Sequence, residues 1–203
     1  MRRTSFDADI AARALLSCRR IAVLGSGGAG KSTVARAIAA RVGLPLHHLD
    51  RLYWLPGWQA TPDPDWEALQ RELVREERWM VDGNYSRTLA IRLDRADGVL
   101  LLDLPRRVCL WRAFWRSMRL YGKVRPDLGA GCPEHFDLEF LAWIWAFPRR
   151  TRGKLLAAKR AAPPGQAWVV PRTAREVRRL IRAIEAATPV PPRAGRQDGS
   201  IRP

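Results

Sequence analysis

One uninterrupted stretch constrains this chain more than any other: Ile21-Ala22-Val23-Leu24-Gly25-Ser26-Gly27-Gly28-Ala29-Gly30-Lys31-Ser32. Arg20 to Leu24 reads as a buried strand, the glycines as a turn, and the residues from Lys31 onward as a helix. Gly25 to Ser32 carries the spacing G-x-x-x-x-G-K-[ST], the phosphate-cradling P-loop. The chemistry needs those residue types. Glycines let the backbone curl until successive N–H groups point into one anion-sized hollow. The following helix adds the positive end of its dipole beneath the same phosphates. Lys31 reaches toward β- and γ-phosphates, and the Ser32 hydroxyl is a ligand for Mg²⁺. The bland alternative is a strand–helix turn that binds nothing, and the Lys-Ser pair between apolar flanks speaks against it. The expected nucleotide site is therefore Gly25, Gly27, Gly28, Ala29, Gly30, Lys31, Ser32 and Thr33, with ATP and Mg²⁺ as cofactors. Hydrolysis, phosphoryl transfer and sensing all stay open on this motif alone.

At 203 residues and 23.0 kDa, the chain is long enough for one domain with a full core. Arginine interrupts every long apolar stretch, so no membrane span is expected. Ala11 to Leu16, preceded by Asp7 and Asp9, is too short and too charged for a signal peptide. Cys18, Cys109 and Cys132 lack C-x-x-C spacing, which fits a reduced, cytoplasmic protein. The net charge of +16 stands out, and with lysine only at 31, 123, 154 and 159 it is almost all arginine. Arginine suits bidentate phosphate contacts and stacking on bases, although a GC-rich genome would supply it too. A polyphosphate substrate or a nucleic acid would each answer that field.

Taken in order, a short helix is expected at Ala11 to Leu16, then the first strand, then a helix from Lys31 to Val42 closed by Gly43. Leu44 to Leu49 reads as a second strand ending in Asp50. The aromatic, proline-rich Leu52 to Pro64 reads as a structured loop, and Asp63 as the cap of a helix burying Trp66, Leu69 and Leu73. Trp79 to Asp82 is the third strand, Ser86 to Leu93 a short helix, and Gly98 to Leu104 a fourth strand buried on both faces. Pro105 opens a helix to about Tyr121, with Val108, Trp111, Trp115 and Met118 on one stripe and Arg112, Arg116 and Arg119 on another. After a turn from Gly122 to Pro133, Glu134 to Lys159 reads as helix broken or kinked at Pro148. Trp168 to Val170 is the fifth strand. A capping box of Thr173 and Glu176 starts the last helix, and residues 188–203 are expected to be a disordered basic tail. Residues 1–187 thus form one domain, with an arginine-rich helical lid inserted at about 106–160.

Strands alternating with helices imply an α/β fold, a three-layer parallel five-stranded sheet with right-handed crossovers. Ligands in such sheets lie beyond the carboxyl ends of the strands. That rule gathers the P-loop, Asp50, Asp82 to Tyr85, Asp103 and Pro171-Arg172 on one rim. Asp82 is placed to hold Mg²⁺ opposite Ser32, and Asp50 to orient or deprotonate an acceptor hydroxyl. Strand-end carboxylates that merely cap helices are the ordinary alternative, and Asp103 is read that way. Arg112, Arg116, Arg119, Arg125, Arg149, Arg150 and Arg152 cluster in the hairpin. A solvated basic face explains part of that cluster. The functional reading assigns Arg116 and Arg125 to the transferring phosphoryl group and Arg112 and Arg172 to the nucleotide. Tyr53, Trp54 and Trp58 are either a stacking platform for a ring or a small satellite core. His47-His48 and the Cys132-x-x-His135 pair lack zinc spacing and read as structural.

Several segments together resemble the adenylate-kinase-related P-loop proteins, and most closely the family named DNA topology modulation proteins. They are Gly25 to Ser32; His48-Leu49-Asp50 through Tyr53-Trp54 and Pro56-Gly57-Trp58; Val81-Asp82-Gly83-Asn84-Tyr85-Ser86; and Leu102-Asp103-Leu104-Pro105-Arg106. Arg125-Pro126-Asp127, Gly131-Cys132-Pro133-Glu134 and Phe140-Leu141-Ala142-Trp143-Ile144-Trp145 complete the set. The resemblance implies a nucleotide-kinase-like fold with strand order 2-3-1-4-5, and ATP binding. Adenylate kinases carry Asp-Gly-Phe-Pro-Arg after the third strand; here Asp82-Gly83 is followed by Asn84-Tyr85-Ser86, and Arg87 falls one place late. AMP as acceptor is not implied.

Two functions compete at this point, beside a third, a small-molecule kinase whose acceptor is not a nucleotide. One is a Mg²⁺-ATP-dependent phosphotransferase acting on a nucleoside, nucleotide or similar small acceptor. The other is a P-loop protein that binds nucleic acid and affects DNA topology, with ATP as its switch. The closed rim of aspartates and aromatic residues favours the first, while the acceptor and the oligomeric state stay unassigned.

Overall fold

The computed structural model describes residues 6–187; the expected basic tail lies outside that range. Seven strands and nine helices are found among the described residues: α1 Ala8–Leu16, β1 Arg20–Gly25, α2 Lys31–Val42, β2 Leu46–His48, α3 Leu49–Tyr53, β3 Trp54–Leu55, β4 Gln59–Ala60, α4 Asp63–Leu73, β5 Trp79–Asp82, α5 Leu89–Leu93, β6 Gly98–Leu102, α6 Arg106–Arg119, α7 Leu138–Phe147, α8 Gly153–Arg160, β7 Ala167–Val169 and α9 Ala174–Ala186. The main sheet runs β2-β5-β1-β6-β7, all parallel. Counted along that sheet alone, the order is the expected 2-3-1-4-5. β1 is its centre, with Ala22 opposite Val81 on one side and Val99 on the other.

Strands buried on both faces need apolar side chains at every position, and alternate residues of β1 enter separate cores. Ile21 and Val23 pack with Val34, Ile38, Met80, Leu100, Leu180 and Ile184 beneath α1, α2 and α9. Ala22 and Leu24 pack with Leu49, Trp66, Trp79, Val81, Leu101 and Leu155 on the opposite face. Both caps expected of α9 are made: Thr173 Oγ1 accepts from the Glu176 N–H, and the Glu176 carboxylate accepts from the Thr173 N–H. Gly43 (φ +61°) closes α2 as expected.

Four local expectations are corrected. The second strand is three residues long, and Asp50 lies in the first turn of α3 instead of closing a strand. The segment read as a loop holds that short helix and a two-stranded hairpin, β3–β4. Pro62, not Asp63, occupies the cap position of α4, because Asp63 already has helical geometry. The segment from Glu134 stays extended until Asp137 caps α7 through the Phe140 N–H. The α-helix then ends at Phe147, the break expected at Pro148, and a π-helical turn, Pro148–Arg152, absorbs the missing proline N–H before α8.

Neither of the two stripes read on α6 is its inner face. Its Trp111 (63% exposed), Trp115 and Met118 point outward, while Cys109, Ala113 and Ser117 are buried. The cause is the P-loop beneath. Any Cβ on Gly28, which has φ +74°, would collide with the Cys109 carbonyl, so the helix backbone sits directly on the loop. Only small side chains fit under such an approach.

Candidate active site

The carboxyl ends of β1, β2 and β5, roofed by α6, α7 and the turn between them, enclose a cavity of about 940 Å³. Its floor is the P-loop. Gly25 (φ +142°), Gly28 (φ +74°) and Gly30 (φ +96°) take backbone conformations that side-chain-bearing residues avoid, and no side chain caps α2. The N–H groups of the first turn of α2 are thus left for a ligand. Gly27, Gly28, Gly30, Lys31, Ser32 and Thr33 line the cavity. Ala29 is fully buried and shapes the loop from behind. Gly25 does not face the cavity with a free N–H: the Asn84 side chain accepts from it at 3.0 Å and donates to its carbonyl at 2.7 Å. Lys31 Nζ bonds the Ser26 carbonyl of its own loop at 3.2 Å.

Around Ser32 the carboxylates converge. Its hydroxyl lies 2.7 Å from Asp82 Oδ2 and 3.1 Å from Asp127 Oδ2, and His48 Nδ1 is 3.0 Å from the same Asp82 oxygen. The other oxygen, Asp82 Oδ1, is buried without a partner. A buried, unpaired carboxylate oxygen is costly unless something completes it. Among the described residues no group of three His, Cys, Asp or Glu side chains is arranged to hold a metal unaided. Mg²⁺ does not ask for one, since it keeps most of its waters and leans on phosphate oxygens. Ser32 and Asp82 therefore fit the expected Mg²⁺ role. Burial pushes the Asp127 carboxyl up, but Arg125, then Ser32 and His48, outweigh it and hold Asp127 below the usual carboxylate range.

Farther along the cavity, Tyr85 donates its hydroxyl to Asp50 Oδ1 at 2.8 Å. Burial raises the Asp50 pKa against the lowering pull of Lys31, Tyr85 and Arg125, which makes it a stronger base than an exposed aspartate. Tyr85 has φ +34°, a strained conformation for a tyrosine. Its support is a buried network: Arg92 donates to the Asn84 carbonyl, to Gln70 and to Thr88. Burial lowers the Arg92 pKa to about 10. One chain of contacts, Arg92–Asn84–Gly25, thereby ties the loop that holds Tyr85 to the P-loop.

Of the hairpin arginines, Arg112, Arg116 and Arg125 line the cavity. Glu134 sets two of them, accepting from Arg116 Nε at 3.1 Å and pairing with Arg125 Nε at 3.1 Å. Burial, then the neighbouring Arg125 charge, lowers the Arg116 pKa against the pull of Glu134. Arg119, Arg149 and Arg150 are exposed, as a solvated face would be. Arg152 and Arg172 both turn to Asp103, at 2.6 and 4.0 Å. Arg172 is therefore not brought to the cavity, and Asp103 is the structural carboxylate expected.

Sequence reasoning gave no place in the site to three of these residues: His48, Asp127 and Glu134. The first was set aside for want of zinc spacing, yet it abuts Asp82. Asp127 and Glu134 lie in a turn, where no periodicity flags a function. Tyr85, read onto the rim with Asp82-Gly83-Asn84, was given no role of its own there.

No protein-family model matches the chain, and no curated protein does. Several solved structures do. One is a gluconokinase from Sinorhizobium meliloti 1021, with 21% identity, 82% of this chain and 91% of that chain covered, and a TM-score of 0.47. Another is a shikimate kinase from Acinetobacter baumannii in complex with shikimate, with 16% identity, coverage of 86% and 94%, and a TM-score of 0.48. A third is a sugar kinase from Janibacter sp. HTCC2649, with 20% identity, coverage of 82% and 92%, and a TM-score of 0.44. With TM-scores under 0.5 these likenesses carry no weight for function, and the geometry of the site has to carry it.

Proposed function

We propose that the protein is a Mg²⁺-ATP-dependent phosphotransferase acting on a hydroxyl group of a nucleoside, nucleotide or similar small acceptor. The observation that carries this reading is the pairing, within one cavity, of a P-loop with Asp50, a half-buried carboxylate of raised pKa that accepts from Tyr85. A nucleotide switch needs the first and has no use for the second.

In this reading the helix N-terminus and Lys31 bind the β- and γ-phosphates. Ser32 and Asp82 would hold Mg²⁺, which would supply charge neutralisation on those phosphates. Asp50 takes the proton of the acceptor hydroxyl as its oxygen bonds the γ-phosphorus, and the electron pair of the cleaved bond leaves with ADP. Arg116 and Arg125 offset charge on the moving phosphoryl group, and Arg112 the charge of the nucleotide. The segment at about 106–160 acts as the lid of a single domain, and closing it excludes water that would otherwise be the acceptor. The resemblance to the DNA topology modulation proteins agrees with ATP binding and names no acceptor. A cytoplasmic location belongs to the same reading, in keeping with three free cysteines and a need for ATP; among the described residues no helix is long and apolar enough to cross a membrane.

The test is an acceptor panel with γ-labelled ATP, run beside a DNA titration over salt. Label on a small acceptor supports the reading. Tight, steeply salt-dependent DNA binding with no transfer to any acceptor would contradict it.

A further inference from the structure

We infer that the acceptor is an uncharged, ring-bearing hydroxyl compound, and that an acceptor carrying its own phosphate or carboxylate is refused. This inference rests on the phosphotransferase reading above and narrows it.

The wall beside Asp50 is aromatic. Asp50 opens α3, the same helix ends in Tyr53, and Tyr85 reaches Asp50 through its hydroxyl. Ring contacts run without a gap: Tyr85 to Tyr53 at 4.8 Å, Tyr53 to Trp54 at 4.9 Å, Trp54 to Trp58 at 5.5 Å and Trp58 to His135 at 5.1 Å. Tyr85, Trp54, Trp58 and His135 all line the cavity. The platform is fixed in place. The Gly57 N–H donates to the Gly131 carbonyl at 2.9 Å and Trp58 Nε1 to the Pro133 carbonyl at 3.1 Å, which holds Trp58 at φ +61°. Rings offer large apolar area and a negative face, so they welcome a flat or cyclic neutral group and repel an anion.

Charge leads to the same conclusion. The cations of the lining, Lys31, Arg36, Arg112, Arg116 and Arg125, are matched by Asp50, Asp82, Asp127, Glu134 and Asp137. A bound triphosphate claims whatever positive potential is left. A second anion would then stand beside the Asp50 carboxylate with no counter-cation. The two arginines best placed in sequence to supply one turn away: Arg51 is exposed, and Arg87 pairs with Asp63 at the surface. Neither lines the cavity. A neutral hydroxyl compound needs no such partner. Its O–H proton passes to Asp50, its oxygen bonds the γ-phosphorus, and the β,γ-bridging oxygen leaves with ADP.

The experiment measures kcat/KM for the common nucleosides, their 5′-monophosphates, sugar acids and acyclic polyols, with displacement of a fluorescent ATP analogue as a separate readout of the nucleotide site. A neutral ring-bearing compound should be the best acceptor, with its monophosphate at least about tenfold poorer. Trp54→Ala and Trp58→Ala should each raise the acceptor KM about tenfold, the loss expected for one stacked ring, and leave the ATP analogue's affinity unchanged. Arg87→Ala should change neither. The inference is overturned if a monophosphate or carboxylate acceptor is preferred, if Arg87→Ala raises the acceptor KM, or if ATP binds and no compound in the panel receives phosphate. Failure to bind the ATP analogue at all would instead overturn the phosphotransferase reading beneath it.

Discussion

Glu134 offers a quantitative test of whether the roof arginines are built for phosphate. Its carboxylate is buried, accepts from Arg116 Nε and Ser117 Oγ at 3.1 Å each, and pairs with Arg125 Nε at 3.1 Å. Glu134→Gln keeps the shape and removes the charge, leaving two guanidinium groups facing one another. Removing one partner of a buried ion pair costs about 3–5 kcal/mol. Arg116 is a quarter exposed and the glutamine still accepts one hydrogen bond, so about 2–3 kcal/mol is the expected loss of stability. For a chain of this length that lowers Tm by roughly 5–10 °C. Saturating Mg²⁺-ATP should return much of it, because the phosphates supply the negative charge that was removed. The ATP-induced rise in Tm should therefore be larger in the variant than in the wild type. Thermal unfolding with and without Mg²⁺-ATP measures both numbers. Equal ATP-induced shifts in the two proteins would refute the idea that Arg116 and Arg125 meet the polyphosphate.

Lys31→Ala should abolish binding of a fluorescent ATP analogue while leaving Tm near the wild-type value, since the side chain faces the cavity and not a core. Asp82→Asn should chiefly raise the Mg²⁺ concentration needed for half-maximal turnover. Asp50→Asn should leave ATP binding intact and abolish transfer; equal loss of ATP affinity in both variants would erase the division of roles. Because burial raises the Asp50 pKa, its ionised form costs stability once the pH rises through that pKa, so Asp50→Asn should also raise Tm at neutral pH. Turnover needs the ionised form and is lost as pH falls, so the acid limb of kcat/KM should lie above the ordinary aspartate value of about 3.9. Tyr85→Phe removes a hydrogen bond that lowers the Asp50 pKa, and should move that limb further up.

The parts of this fold legible in sequence are those where one physical demand dominates. An unbroken apolar run such as Val99 to Leu102 has to be a strand covered on both faces, and Gly25 to Ser32 has to be a phosphate-sized turn. Thr173 with Glu176 fixes the start of α9 by a local hydrogen-bond pair. The misreadings arise where tertiary contacts decide. Which face of α6 turns inward is likewise not written in its stripes: the close approach of α6 to Gly28 gives the inner face to Cys109, Ala113 and Ser117. Asp50 followed an apolar run and read as a strand end, whereas the chain had already turned into α3. Arg172 sits on the expected rim yet turns to Asp103, a choice made by a partner 69 positions away in the chain. Glu134 and Asp127 stood only within segments of the resemblance, without a role, because turns carry no period; the fold shows that they meet Arg116, Arg125 and Ser32.

The central claim is that ATP is spent on a small hydroxyl acceptor beneath an arginine lid, without nucleic acid. The most direct measurement follows γ-labelled phosphate from ATP to the best acceptor, with no nucleic acid present, for the wild type and for Arg116→Ala. The wild type should place label on the acceptor, and the variant should do so about 10³-fold more slowly, the loss expected for an arginine that stabilises the transferring phosphoryl group. Label that reaches no acceptor, together with tight DNA binding that Arg116→Ala barely alters, would contradict it.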